Sequence, residues 1–107
     1  MGKKSLDKGK AGEREVARLI RGSFFRARRG QQFSGGGDSP DIVHNIPGIH
    51  IEVKRTERFN LYAALQQATE DAKGSAEVPV VFHRKSGKKW VAVVPAEHYL
   101  WLQWAAQ

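Results

Sequence analysis

Residues 49–54, Ile-His-Ile-Glu-Val-Lys, alternate strictly between apolar and polar side chains. A period of two is the mark of a β-strand with one buried and one accessible face, because a helix would scatter both classes around its circumference. Ile49, Ile51 and Val53 therefore face a core, while His50, Glu52 and Lys54 share the other side. The rest of the chain has to supply that core.

Helical spacing of Val16, Ala17 and Ile20 predicts a helix from about residue 10 to residue 21, which Gly22 can end. Residues 24–28 suit a strand, and the three glycines Gly35, Gly36 and Gly37 predict a flexible loop over residues 31–39. Residues 41–45 form a strand that the turn Ile46-Pro47-Gly48 joins to residues 49–54, as a hairpin. Leu61, Ala64, Leu65, Ala68 and Ala72 make the stripe of a second helix that stops near Lys73-Gly74. Two short apolar runs, residues 79–83 and 90–94, flank a basic turn and predict another hairpin. After Pro95, a closing helix carries Leu100, Trp101 and Trp104 to about residue 105. The order α-β-β-β-α-β-β-α predicts a single α/β domain, a small mixed central sheet flanked by helices, over residues 9–107, preceded by a flexible basic arm of residues 1–8. With 107 residues, there is room for one core of modest stability.

Lys and Arg outnumber Asp and Glu by 18 to 11, a formal charge of +7, and much of the excess precedes residue 30. Such a surplus favours a polyanion, whether nucleic acid or an anionic membrane surface, against the alternative of a merely solvated basic exterior. The absence of cysteine excludes disulfides and thiolate zinc sites. No apolar run approaches the roughly 20 residues of a membrane span, and the basic N-terminus lacks the apolar stretch of a secretory signal. A cytoplasmic protein that faces nucleic acid, with no membrane partner, is the simplest expectation.

The chemistry concentrates in Ser39-Pro40-Asp41 and, after a turn, Glu52-Val53-Lys54. A register with Val43 opposite Glu52 would bring Asp41 beside Lys54, although the sequence does not fix that register. Two carboxylates and an ammonium on one sheet face suit phosphodiester hydrolysis. Mg²⁺ prefers hard oxygen ligands, polarises phosphate and acidifies bound water. A nearby lysine orients that water or offsets the charge that develops on phosphorus. An isolated Glu-x-Lys is usually only an exposed ion pair; the Pro-Asp at hairpin distance favours a site.

These residues carry a resemblance. Pro40-Asp41 followed by Glu52-Val53-Lys54 resembles the PD-(D/E)XK nuclease superfamily, and the element order is similar to its restriction-endonuclease-like core. Within it, the chain looks most like Holliday-junction resolvases of the archaeal type and their phage relatives, over roughly residues 9 to 94, with a first helix bearing Gly12-Glu13-Arg14-Glu15. The resemblance implies Mg²⁺, with Mn²⁺ as substitute, held by Asp41, Glu52, the Val53 carbonyl and the helix-1 glutamate, matched by Glu13. It implies catalytic assistance from Lys54, Ser34 and Gln67, and a homodimer resolving four-way DNA junctions by paired nicks. Glu13 lies on the interior edge of its helix, where the alternative is a fringe carboxylate answered by Lys10 or Arg14; Glu15 points away, to the surface. Ser34 stands where such resolvases carry a functional serine, and Asp38 is a weaker candidate that can simply cap a turn. Gln67 is preferred to Gln66 because it lies nearer the apolar stripe.

His44, His50, His83 and His98 show no metal-ligand spacing, and His50, though on the Glu52 face, is read as surface. Lys10, Arg14, Arg26, Arg28, Arg29, Arg84, Lys88 and Lys89 are the expected phosphate contacts, which give salt-sensitive affinity with little reading of sequence. Trp90, Trp101 and Trp104 are a heavy aromatic load, part of which core packing explains; the rest, Trp101 and Trp104 three apart on the closing helix, suits a two-fold contact between copies. The competing readings are a flap, nicking or repair nuclease of the same fold and a non-catalytic DNA-binding module. A basic RNA-associated protein would explain the charge but not the acidic pair.

Overall fold

The elements run α1 (Lys3–Arg21), β1 (Ala27–Arg29), β2 (Ile42–His44), β3 (Ile49–Arg55), α2 (Leu61–Asp71), β4 (Val78–Arg84), β5 (Val91–Val93) and α3 (Ala96–Ala105), the order expected from the sequence. The structure is a computed structural model and describes residues 3–30 and 41–107.

β3 leads through α2 into β4, which lies parallel to it in the register Glu52 to Val81, and β4 turns back into antiparallel β5. The sheet is therefore mixed, in the order β3-β4-β5. Its two faces separate as the alternation demands. Val16, Ala17 and Ile20 of α1 bury against Ile42, Ile51 and Val53, with Phe82 and Trp90 packed at the edge. On the opposite face Ala64 and Ala68 of α2 bury against Val81, with Phe59, Leu65 and Val93 around them. Each wholly buried Val or Ile stabilises the fold by about 1.5–3 kcal/mol, so the two clusters fix which side of β3 faces which helix. α2 starts where Asn60 accepts the Ala63 N–H at 3.0 Å, a side-chain N-cap.

α1 comes unusually close to the sheet at Gly12. A Cβ built there would stand 2.7 Å from Arg55 Cβ, so the helix can lie at this depth only without a side chain at that point. The notable glycine of the first helix is thus a packing residue.

Four expectations need correction. α1 begins at Lys3, so the segment read as a loose arm over residues 1–8 is helical from there, and the helix crosses the boundary drawn at residue 9. Apolar periodicity starts only at Val16, and Lys8 is held from outside the helix by Glu57 at 2.6 Å, a contact that local sequence does not show. β2 does not form a hairpin ladder with β3; among the described residues it pairs antiparallel with β1, Arg28 facing Val43. Val53 N–H, which a partner strand would use, is taken instead by the Asp41 carboxylate. β1 begins at Ala27, after Phe24 adopts a φ of 72°, a left-handed turn that ends the approach from α1. Finally, α3 buries none of its residues.

Candidate active site

α2 returns the chain between two parallel strands and so runs opposite to β3. Ascending the strand therefore means descending the helix, and the polar face of β3 meets residues one turn apart on α2. Lys54 Nζ donates to Gln67 Oε1 at 3.0 Å and lies 3.7 Å from Glu52 Oε1. One turn further along α2, the Asp71 carboxylate comes within 4.8 Å of both Glu52 and the His50 ring. Glu52 is the buried charge of the group, 6% exposed. Beyond Lys54 and Gln67 the surface opens into a cavity of about 200 Å³ that Arg58, Phe59 and Asn60 help to line.

Asp41 reaches the same place from the other edge of β3. Its Oδ2 accepts the Val53 N–H at 2.8 Å, and its carboxyl shares a hydrogen bond with that of Glu52. Burial raises both carboxyls above their ordinary range. For Glu52 the adjoining Asp41 charge adds to burial, Lys54 offsets part of it, and the group reaches about 7. A proton shared between the buried Glu52 carboxyl and the half-buried Asp41 carboxyl marks more negative charge than one ammonium can balance. Oxygen donors converging in this way fit a hard divalent cation, which would replace the proton.

Glu13 sits at the border of this group. Its Oε1 accepts from Arg29 Nε at 2.6 Å, and burial, with a smaller push from Asp41, raises its carboxyl. Arg29 is therefore spent on Glu13, and Arg84 is likewise bound at 2.9 Å to Glu15. Glu15 also accepts from Trp90 Nε1 at 3.0 Å, which corrects its reading as plain surface. Both partners lie far along the chain, so helix periodicity alone does not reveal them. Lys10, Arg14, Arg26, Arg28, Lys88 and Lys89 are exposed. Ser34, Asp38 and Pro40 lie outside the described residues.

Two side chains, Asp71 and Glu57, are not marked by the sequence, and a third, His50, is placed differently from the expectation. Asp71 is four residues from Gln67 and so on its side of α2, a spacing that would have found it. His50 joins the acidic group instead of the open surface. Glu57 binds Lys8, Arg55 at 3.2 Å and the Ser86 backbone and hydroxyl, which pins α1 to the β4–β5 turn; the Lys8 and Ser86 hydrogen bonds hold its carboxyl down at about 2.

An α/β core of this order, with an acidic and lysine-bearing strand face against a crossing helix, is the restriction-endonuclease-like fold. The structure matches that of Hjc, a Holliday junction resolvase from the archaeal hyperthermophile Archaeoglobus fulgidus, with a TM-score of 0.59 over 81% of this chain and 72% of that one, at 24% sequence identity. At that identity the likeness establishes the shared fold. No family model matches the sequence, and no curated protein does. No helix among the described residues is long and apolar enough to cross a membrane.

Proposed function

We propose that this protein is a metal-dependent DNA endonuclease that hydrolyses phosphodiester bonds, resolving four-way junctions by paired nicks as a homodimer in the cytoplasm. The observation that carries the proposal is the convergence of Asp41, Glu52, Lys54 and Gln67 around β3, on a fold shared with a junction resolvase. Asp41 and Glu52, with the Val53 carbonyl beside them and Glu13 at the border, would hold Mg²⁺, for which Mn²⁺ substitutes. When bound, the ion supplies Lewis acidity toward phosphate and a more acidic water. Lys54, steadied by Gln67, places its ammonium where charge accumulates on the phosphoryl oxygens. The cavity beside Gln67 and Arg58 offers a neighbouring nucleotide a place to lie. The exposed Lys10, Arg14, Arg26, Arg28, Lys88 and Lys89 would contact flanking phosphates; Arg29 and Arg84 would first have to leave their carboxylates. Ser34 is proposed as a further phosphate contact.

The dimer reading rests on α3. Leu100, Trp101 and Trp104 are 64%, 57% and 69% exposed, and the helix carries no lysine or arginine on a chain of charge +7. Copies that repel one another elsewhere can meet there.

The decisive experiment offers labelled four-way junction, linear duplex and single strand to the protein, with Mg²⁺ or with EDTA. Cleavage of the junction that requires Mg²⁺ and is lost in Glu52→Ala and Lys54→Ala, with binding retained, is the expected result. Equal cutting of all three substrates would leave a nuclease of the same fold without junction preference. Binding without cutting would leave a DNA-binding module.

A further inference from the structure

We propose that His50, Glu52 and Asp71 form a second cation position, separate from the one at Asp41, and that its imidazole makes it select Mn²⁺ over Mg²⁺. The inference rests on reading Asp41 and Glu52 as metal ligands, with Glu52 shared between the two positions.

One nitrogen of His50 and one carboxylate oxygen each of Glu52 and Asp71 lie within 4.8 Å of one another. Donors about 2.1 Å from a common ion stand roughly 3–4 Å apart, so a small rotation of the exposed Asp71 closes the set. The two strand residues are held by alternation on β3, and the third comes down from α2, so the position is built on rigid elements. Asp41 is not one of the three: it approaches Glu52 from the β2 side, tied to Val53 N–H, although the His50 ring is near enough for its charge to act on the Asp41 carboxyl.

Two independent observations point to a ligand at this position. The first is the fate of the histidines. His44 Nδ1 takes the Ile46 N–H, His83 stacks on Phe59 at 3.9 Å, and His98 stacks on Trp101 at 6.0 Å. Among the described residues, no hydrogen bond or ring contact engages the His50 ring. The second is charge. The carboxylates of Asp41 and Asp71 both act on the buried Glu52, and the ammonium of Lys54 at 3.7 Å is its one ion-pair partner among the described residues. A divalent cation on the Asp71 side would correct that imbalance where Lys54 does not reach.

The donor type then selects the ion. Mg²⁺ keeps its waters and is confined to oxygen donors, whereas first-row transition ions take a nitrogen donor more readily, Mn²⁺ the most weakly of them, and Mn²⁺ is the one that also suits carboxylates.

Mn²⁺ binding to the full chain, followed by the electron paramagnetic resonance of the free ion, tests this without any turnover. Wild type should take up two Mn²⁺ per chain, and His50→Gln and Asp71→Asn one each. A Mg²⁺ titration by calorimetry should give one. In wild type alone, substoichiometric Mn²⁺ should broaden the imidazole proton signals of His50 before those of the other three histidines, a readout that needs no variant to fold. A single Mn²⁺ that Asp41→Asn abolishes and His50→Gln leaves in place would overturn this proposal while leaving the catalytic reading intact. No Mn²⁺ binding at all in wild type would overturn both.

Discussion

The Lys54 ammonium is gripped by Gln67 Oε1 at 3.0 Å, closer than it stands to the Glu52 carboxylate at 3.7 Å. Gln67 thus aims a charge that would otherwise collapse onto its acidic neighbour or swing into water. Gln67→Ala is expected to lower the cleavage rate about tenfold, close to 1.4 kcal/mol in the barrier, with little change in DNA affinity. Gln66→Ala should cleave like wild type. Single-turnover cleavage measures both, and equal rates for the two variants would deny Gln67 this positioning role.

A second prediction concerns pH. Glu52 is raised from the ordinary 4.5 to about 7, first by burial and then by Asp41, so the folded chain holds a proton that the unfolded chain releases. The stability this contributes is fully present below pH 4.5 and is lost as pH rises through 7. Asp41 and Glu13, also raised, act in the same direction. Without divalent ions the Tm should fall between pH 5 and 8, by the equivalent of about 3 kcal/mol for Glu52. Glu52→Gln should flatten the curve, and Mg²⁺ at pH 8 should restore the loss. A flat wild-type profile in EDTA would contradict the shift.

Arginines that are adjacent in sequence have separate duties. Arg29 pairs with the largely enclosed Glu13, whereas Arg28 is exposed. Arg29→Ala leaves a carboxyl without its cation and should cost about 1–2 kcal/mol in urea unfolding, less at pH 4 where Glu13 is protonated. Arg28→Ala should leave stability within about 0.5 kcal/mol and weaken DNA binding with a shallower salt dependence. Equal stability of the two variants would show the Glu13 pair to be dispensable.

At Gly12 the close approach to Arg55 makes a steric prediction. Alanine is the better helix former by about 1 kcal/mol, yet its methyl would meet Arg55 Cβ at 2.7 Å. The overlap should win, with a net loss of about 1–2 kcal/mol and a lower Tm. Gly9→Ala, with open space around it, should be neutral or stabilising.

Trp104→Glu should convert a dimer to a monomer in sedimentation velocity at micromolar concentration, with circular dichroism unchanged, since Trp104 is 69% exposed and no residue of α3 is buried within its own chain. A wild-type monomer under the same conditions would remove the dimer reading.

The order of all eight elements was legible because it follows from periodicity, which is local. Strand pairing was not. Residues 41–45 and 49–54 look like a hairpin on either side of Pro47-Gly48, and only the third dimension shows β2 turning to β1 while Asp41 occupies Val53 N–H. The site divides in the same way. Alternation puts Glu52 and Lys54 together without any knowledge of the fold, and the choice of Gln67 followed from its distance to the apolar stripe. Glu15 was misjudged because Arg84 and Trp90, its partners, are brought to it by packing. Asp71 was missed because a single aspartate late in a helix signals nothing until the helix is laid antiparallel to β3.

That strand also binds two kinds of selection together. Neighbouring residues of β3 belong alternately to the interior and to the cleft, so nothing in its seven residues is remote from the carboxylates. Deleting one residue there would exchange the two populations, driving Lys54 into the α1 side and presenting Val53 to Gln67. A methyl lost from Ile51 loosens the backbone on which Glu52 is aimed. Variants that trade stability for turnover should therefore accumulate here, and a deep mutational scan should find this segment the least forgiving of the chain.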